Sequence, residues 1–147
     1  MKKKVLIVDD KEENRVVLEN FFNFFGPNKE QIDLYFADSS EKAYELVKEI
    51  KPDLIFLDIF IETRTSGLEL AKKIKEEFRD DNITIWAITA SAMKASENEI
   101  SDEEKCLNSG CDKYFAKPFK QKVMAEETSK LLGVDIPDYM KKRMGIE

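Results

Sequence analysis

The sequence predicts an α/β fold, a doubly wound parallel sheet of five strands, and two observations support that prediction. Residues 5–8 and 54–57 are continuous apolar runs, which are typical of strands buried on both faces of a parallel sheet. Stretches in which apolar residues recur at helical spacing follow the predicted strands. Strands that alternate with helices form parallel sheets, whose ligands bind outside the carboxyl ends of the strands.

The first helix is predicted over residues 12–25, because the apolar period changes from a run to helical spacing directly after the first strand. Gly26 and Pro27 should end it, since glycine adopts the left-handed cap conformation and proline cannot continue a helix. Residues 32–37 alternate more than the first strand. They predict a second strand nearer an edge of the sheet.

The second helix is predicted over residues 39–50. Asp38 and Glu41 have the spacing of a capping box at its start, and Pro52 follows its end. Asp53 then enters the third strand from the far edge of the sheet, and we expect it to have no part in the chemistry.

Ser66 and Ser101 begin two more capping boxes, which predict the third and fourth helices. Between them, residues 83–88 predict the fourth strand, and Thr89 follows at its end. Gly110 should stop the fourth helix. The final elements are a strand over residues 113–116 and a helix over residues 121–132, stopped by Gly133.

The domain prediction is one domain over residues 1–132, followed by a tail or short extra helix over residues 133–147. A chain of 147 residues fits one domain with a substantial core. In the C-terminal part, Tyr139, Met140 and Met144 could share one side of a short helix. A disordered tail is the alternative.

Composition excludes several functions. The net charge of -6 argues against binding to nucleic acid or to an anionic membrane. No apolar run approaches the roughly 20 residues of a membrane span and no signal peptide is evident, so we expect a cytoplasmic protein. The chain has no histidine, and its two cysteines, Cys106 and Cys111, have no second pair. Zinc and haem sites, Ser-His or Cys-His catalysis and a phosphohistidine on this chain are therefore excluded.

Polar side chains follow four of the predicted strands. The residues at those strand ends are Asp9, Asp10, Asp58, Thr89 and Lys117. Each has a simpler explanation by itself, such as acidic residues at a helix N-terminus or a turn residue. Their joint placement at one edge of the sheet instead favours a shared site.

Three clustered carboxylates repel one another and need a cation, and oxygen ligands select a hard ion such as Mg²⁺. Lys117 offers a compact positive charge to an incoming anion, and Thr89 offers a hydroxyl donor. Aspartate is a known nucleophile toward phosphoryl groups. The set of side chains is therefore that of an aspartyl phosphate site, in which catalysis is mostly positioning and charge neutralisation.

These motifs resemble a bacterial response regulator receiver domain, which has a flavodoxin-like (βα)5 fold. The matching stretches are Val-Asp-Asp-Lys-Glu-Glu-Asn-Arg at residues 8–15, the strand that ends at Asp58, Thr-Ala at residues 89–90 and Gly-Cys-Asp-Lys-Tyr-Phe-Ala-Lys-Pro-Phe at residues 110–119. The resemblance covers residues 3 to about 132. Three shorter stretches are most similar to receivers fused to hybrid histidine kinases: Asn14-Arg15, Ala92-Met93 and Lys105-Cys106-Leu107.

The resemblance implies a role for each site residue. Asp58 would be the phosphoacceptor, and the donor would be a phosphohistidine on a histidine kinase or a phosphotransfer protein. Asp10, Asp58 and the backbone carbonyl of Phe60 would hold Mg²⁺, with Asp9 acting on it mainly through water. Lys117 would pair with the phosphoryl group and Thr89 would move to hydrogen-bond it.

The resemblance also implies a switch and two modulators. Tyr114 matches the aromatic residue that turns inward as Thr89 shifts, although an ordinary strand aromatic is the alternative. Phe60 and Ser91 occupy the positions that flank the attacking water, and a bulky phenylalanine should give a long-lived phosphorylated state. The peptide bond before Pro118 should be cis.

Two departures from the family pattern lie in loops. Where the family usually has Met-Pro after the phosphoacceptor, this chain has Ile61-Glu62, and Gly67 falls one residue later than in the commonest spacing. Residues 93–100 lengthen the loop before the fourth helix by roughly six residues. That insert could recognise a partner or be a tolerated loop.

We therefore expect a stand-alone single-domain response regulator that is not an enzyme in its own right and signals through a downstream protein. One alternative is a pseudo-receiver, an interaction module that keeps the fold without phosphorylation. Another is a hydrolase with an aspartyl phosphate intermediate. Dehalogenase-like phosphatases place a second aspartate two residues after the nucleophile, and Phe60 stands at that position here.

Overall fold

A computed structural model of the protein shows one sheet of five parallel strands with helices on both faces. The structure describes residues 2–23, 25–59, 61, 66–89 and 102–146. The strand order is β2-β1-β3-β4-β5, and all four neighbouring pairs are parallel. The predicted doubly wound α/β fold is confirmed.

The strands are β1 (Lys3–Val8), β2 (Ile32–Ala37), β3 (Leu54–Leu57), β4 (Thr84–Thr89) and β5 (Lys113–Ala116). The helices are α1 (Glu12–Asn23), α2 (Ser40–Ile50), α3 (Ser66–Glu77), α4 (Asp102–Asn108), α5 (Gln121–Leu132) and α6 (Asp138–Met144). Two 3-10 turns cover Gly26–Gln31 and Arg79–Asp81. The predictions for β2, β3, β5 and α5 match these bounds.

Two local predictions were wrong in detail. Helix α1 ends at Asn23, two residues before the predicted end, because the Phe25 amide donates to the Phe22 carbonyl at 3.0 Å and tightens the chain into a 3-10 type turn. The N-cap of α2 is Ser39, whose hydroxyl accepts from the backbone amide of Lys42 at 3.2 Å. Asp38 is not the cap and instead pairs with the Lys42 ammonium at 3.0 Å.

The core has two layers, one on each face of the sheet, and β3 contributes to both. Leu54 and Phe56 pack among residues of α1, α5 and α6, whereas Ile55 and Leu57 pack among residues of α2, α3 and α4. Side chains alternate along a strand, so a strand that is buried on both faces must be apolar throughout. All four residues are at most 1% exposed, which confirms the explanation of this run.

Helix α6 packs against the same core layer as α1 and α5. Met140 is 1% exposed, and Met144 and Ile146 pack against that layer while remaining partly exposed. The side-chain amide of Asn28 donates to the carbonyl of Asp135 at 2.8 Å and holds the segment that precedes α6. The stretch after α5 therefore includes a short helix that is attached to the core.

The predicted apolar side of α6 was wrong for Tyr139, which is 51% exposed. It directly precedes Met140, and neighbouring positions on a helix do not face the same way.

Within the ranges that the structure describes, no helix is long and apolar enough to cross a membrane.

Candidate functional site

The predicted site residues lie together at the carboxyl edge of the sheet, because the strand pairing continues past the strand ends. The Asp58 amide donates to the carbonyl of the last β1 residue at 2.9 Å, and the Asp9 amide donates to the last carbonyl of β2 at 3.1 Å. The Lys117 amide donates to the Thr89 carbonyl at 2.8 Å. Residues from four parts of the sequence thus meet at one edge.

Asp9 is the most buried carboxylate of the site and the centre of its hydrogen bonds. It is 2% exposed. Its Oδ1 accepts from the Lys11 amide at 3.0 Å and from Asn14 Nδ2 at 3.4 Å, and its Oδ2 accepts from Lys117 Nζ at 2.8 Å. Arg15 Nη1 donates to the Asp9 carbonyl at 2.7 Å. A buried carboxylate is tolerated only with such partners.

Sequence reasoning did not assign these roles to Lys11, Asn14 and Arg15. The available signal was position, because all three lie within six residues of Asp9, at the entry to α1 and in its first turn. Their side chains and amides can therefore reach back to the end of β1. The acidic pair is attached to α1 by these contacts.

Lys117 lies between two carboxylates. Its Nζ is 2.8 Å from Asp9 Oδ2 and 3.8 Å from Asp58 Oδ2. The side chains of Lys117 and Asp58 are 17% and 12% exposed, so solvent screens this pair only partly. In this structure the ammonium is therefore held mainly by Asp9, close to the carboxylate of Asp58.

The donor set fits a hard divalent cation. Asp9, Asp10 and Asp58 each offer one carboxylate oxygen, and these oxygens all lie within 4.8 Å of one another. Two carboxylates about 4 Å apart repel by about 4 kcal/mol at an effective dielectric near 20, and one ammonium does not neutralise three of them. Asp10 is exposed, which leaves the cluster open to solvent. All-oxygen, partly hydrated sites are those that Mg²⁺ prefers.

The two predicted switch residues lie on neighbouring strands. Thr89 is 1% exposed and is the last residue of β4. Tyr114 lies on β5, pairs with Ala87 of β4 and packs, partly buried, against the core layer of α2, α3 and α4. The Lys117–Pro118 peptide bond is cis, as predicted. Phe60, Ser91 and residues 93–100 lie outside the described part of the chain.

Gly67 allows a close approach that the sequence did not reveal. A Cβ atom at this position would lie 2.4 Å from the Cα and 2.6 Å from the carbonyl oxygen of Ile59, the residue after Asp58. Only glycine lets the second residue of α3 contact that backbone so closely. The start of α3 therefore supports the segment that carries Asp58.

A cleft of about 470 Å³ opens beside Lys117. Val17 of α1, which lines the cleft, is 54% exposed. The cleft is lined by Asn14, Val17, Leu18, Ile88, Lys117, Pro118, Phe119 and Gln121. Apolar surface next to a charged site is suited to recognition of another protein.

A family model for the response regulator receiver domain matches residues 5–129. The chain belongs to this family. Receiver domains act in two-component signalling, and the fold and the residues quoted above agree with that assignment. The resemblance found in the motifs is thereby confirmed.

Relatives of this receiver domain include a signalling protein and solved structures. A polar-differentiation response regulator, DivK of Brucella ovis, is 32% identical over 133 residues, which cover 90% of this chain and 98% of that protein. The solved structure of a two-component response regulator from Clostridium difficile is 26% identical and has a TM-score of 0.71. The match covers 90% of this chain and 97% of that chain. The receiver domain of Ssk1 from Saccharomyces cerevisiae, crystallised with the histidine phosphotransfer protein Ypd1, is 27% identical with a TM-score of 0.71 and 93% coverage of both chains.

Proposed function

We propose that Asp58 accepts a phosphoryl group from a phosphohistidine on a partner protein, with Mg²⁺ as cofactor. The observation that carries this proposal is the meeting of three carboxylates within 4.8 Å, with the Lys117 ammonium 3.8 Å from Asp58. An oxygen of the Asp58 carboxylate would attack the phosphorus atom, and the phosphorus–nitrogen bond to the donor imidazole would break. Catalysis then rests on positioning and charge.

Asp10, Asp58 and the Phe60 carbonyl would hold Mg²⁺, which would neutralise charge on the phosphoryl oxygens. Asp9 would act on the ion mainly through water, because its own oxygens already accept three hydrogen bonds from other residues. Asp9 would also keep the Lys117 ammonium near the position of the phosphoryl group.

Lys117 would pair with an oxygen of the transferred group once Asp58 is phosphorylated, and the Thr89 hydroxyl would donate to another. Tyr114, which packs on β5 beside β4, would turn inward when Thr89 moves. A changed surface around these strands would then signal to a downstream protein. Phe60 and Ser91 would flank the attacking water, and we expect replacement of Phe60 by a small polar residue to speed dephosphorylation.

The proposed docking surface for the phosphodonor is the cleft between α1 and the segment that follows β5. It opens beside Lys117, so a histidine in it would be close to Asp58. Val17, 54% exposed, adds apolar surface that a partner helix could cover. The complex of the similar Ssk1 receiver domain with a phosphotransfer protein supports a donor of this class.

Phosphorylation of Asp58 is tested by mass spectrometry after incubation with acetyl phosphate and Mg²⁺. We expect the wild type to gain one phosphoryl group and Asp58→Asn to gain none. Asp38→Asn, which changes an exposed carboxylate at the end of β2, is the matched control and should behave as the wild type does. A wild-type protein that stays unmodified, and does not respond to beryllofluoride with Mg²⁺, would indicate a pseudo-receiver instead.

The docking surface is tested by comparing two phosphodonors. Val17→Asp should slow transfer from a phosphorylated histidine phosphotransfer protein, because a charge replaces apolar contact area, and should leave phosphorylation by acetyl phosphate unchanged. Val123→Asp is the matched control, since Val123 is 45% exposed and does not line the cleft. Equal rates for the two variants with the protein donor would place the docking surface elsewhere.

A further inference from the structure

The two cysteines occupy the contacting positions of a helix-ending motif. The Cys111 amide donates to the Cys106 carbonyl at 3.0 Å, and the Gly110 amide donates to the Leu107 carbonyl at 3.1 Å. Gly110 has a φ of 100°. This pair of hydrogen bonds around a left-handed glycine is the Schellman motif, in which the side chains of the outer residues contact each other. In this chain both outer side chains are thiols.

The surroundings of the two thiols differ. Cys106 is 0% exposed and Cys111 is 5% exposed. The Cys106 thiol hydrogen-bonds to the Cys111 sulfur, and this bond lowers the pKa of Cys111. Burial and the negative charge of Asp112 oppose that effect, and the positive charge of Lys75 makes the smallest contribution, in the lowering direction. Lys75 is held in place, because its Nζ donates to Asp112 Oδ2 at 2.7 Å and to the Ile83 carbonyl at 2.8 Å.

We propose that Cys106 and Cys111 form a redox-active dithiol that hydrogen peroxide converts into an intramolecular disulfide. The Cys111 thiolate attacks one oxygen of the peroxide, the oxygen–oxygen bond breaks, and the leaving hydroxide takes a proton to become water. Cys106 sulfur then attacks the sulfur of the resulting sulfenic acid. The sulfur–oxygen bond breaks and the oxygen leaves as a second water with the Cys106 proton. Two thiols are thus oxidised and one peroxide is reduced.

Cys111 is assigned the attacking role because it is the more exposed of the two thiols and because its sulfur accepts the hydrogen bond of the Cys106 thiol. Cys106 is assigned the resolving role because the backbone hydrogen bond keeps it next to Cys111. The bond would join the last turn of α4 to the residues that enter β5.

The dithiol is tested on the folded protein by peroxide treatment, denaturation, alkylation with iodoacetamide and digestion with trypsin. Cleavage after Lys105 and Lys113 releases residues 106–113, which contain both cysteines. We expect this peptide to appear without alkyl groups and lighter by two hydrogen atoms, and to regain two alkylation sites after treatment with dithiothreitol. The readout does not depend on phosphorylation of the site.

Two variants separate the roles of the thiols. Cys106→Ser should accumulate a Cys111 sulfenic acid that dimedone traps, because the resolving thiol is missing while the hydroxyl can still donate to the Cys111 sulfur, whereas Cys111→Ala should react several-fold more slowly with peroxide. The inference is overturned if the folded wild type keeps two alkylation sites at peroxide concentrations that oxidise the guanidinium-unfolded protein. The wild-type comparison stands even if a variant fails to fold.

Discussion

Replacing Lys117 with methionine should tighten the binding of Mg²⁺ to the three carboxylates. The ammonium lies 2.8 Å from Asp9 and 3.8 Å from Asp58. It therefore neutralises part of the negative charge that would otherwise attract Mg²⁺. A pair of unit charges 3.8 Å apart interacts by about 1 kcal/mol at the dielectric of water and by about 4 kcal/mol at an effective dielectric near 20. Methionine has a similar length and removes this competition.

The smaller of these values sets a lower bound on the effect. About 1 kcal/mol corresponds to a dissociation constant for Mg²⁺ that is at least about fivefold lower in Lys117→Met than in the wild type. Isothermal titration calorimetry of the unphosphorylated protein measures it directly. The same variant should lose most phosphorylation by acetyl phosphate, because the positive charge beside the phosphoryl group is missing.

Lys113→Met is the matched control, since it removes the same charge from β5 at a position that pairs with Glu127 of α5. It should change the dissociation constant for Mg²⁺ by much less than Lys117→Met does. Equal effects of the two variants would mean that the net charge of the protein, and not the local pairing of Lys117, controls the affinity. A weaker affinity in Lys117→Met would refute the electrostatic reasoning.

Three further predictions concern stability, measured by urea unfolding with the fluorescence of the single buried tryptophan. Met140→Ala should lower the free energy of unfolding by about 2–5 kcal/mol because it leaves a cavity under α6. Tyr139→Ala on the same helix should lower it much less. Equal losses for the two variants would contradict the attachment of α6 to the core. Gly67→Ala should lower the free energy of unfolding by about 1–3 kcal/mol, since its Cβ would overlap the backbone of Ile59. An unchanged midpoint of urea unfolding would show that this contact is not tight. The ion pair with Lys113 lowers the pKa of Glu127 from its ordinary value. Its contribution to the free energy of unfolding, at most about 1 kcal/mol for a partly exposed pair, is present above the ordinary pKa and is lost as pH falls through the lowered one. Glu127→Gln should remove this part of the acid dependence, and an unaltered pH profile would argue against it.

Most of the fold could be predicted because its signals are local. The apolar run of β3 and the stop at Gly133 depend on neighbouring residues alone, and both agree with the structure. The wrong details have two origins. Helix α1 ends early and Phe25, 0% exposed, packs in the core, which depends on tertiary contacts. The cap of α2 is a choice between adjacent residues, because Ser39 accepts from the Lys42 amide while Asp38 pairs with the Lys42 ammonium.

The site could be predicted as a set of residues but not as a geometry. Strand ends of a parallel sheet share one edge, so Asp9, Asp10 and Asp58 could be expected to meet, as they do within 4.8 Å. That Lys117 is held mainly by Asp9 could not be predicted, because 108 positions separate the two residues and their distance depends on the order β2-β1-β3-β4-β5. The contact of Arg15 with the Asp9 carbonyl was missed although only six positions separate the two residues, because the path of the chain between β1 and α1 decides whether the side chain reaches back.

The sequence by itself determined the family, the order of elements and the chemical types at the carboxyl edge, since apolar period, caps and strand-end residues are properties of short stretches. Tertiary structure decided which charges pair and which glycine is required. The sequence around Gly67 does not show why a glycine is needed there. The structure does, because a Cβ atom at this position would lie 2.4 Å from the Cα of Ile59. Distances between separated residues depend on how whole elements pack, and no short stretch carries that information.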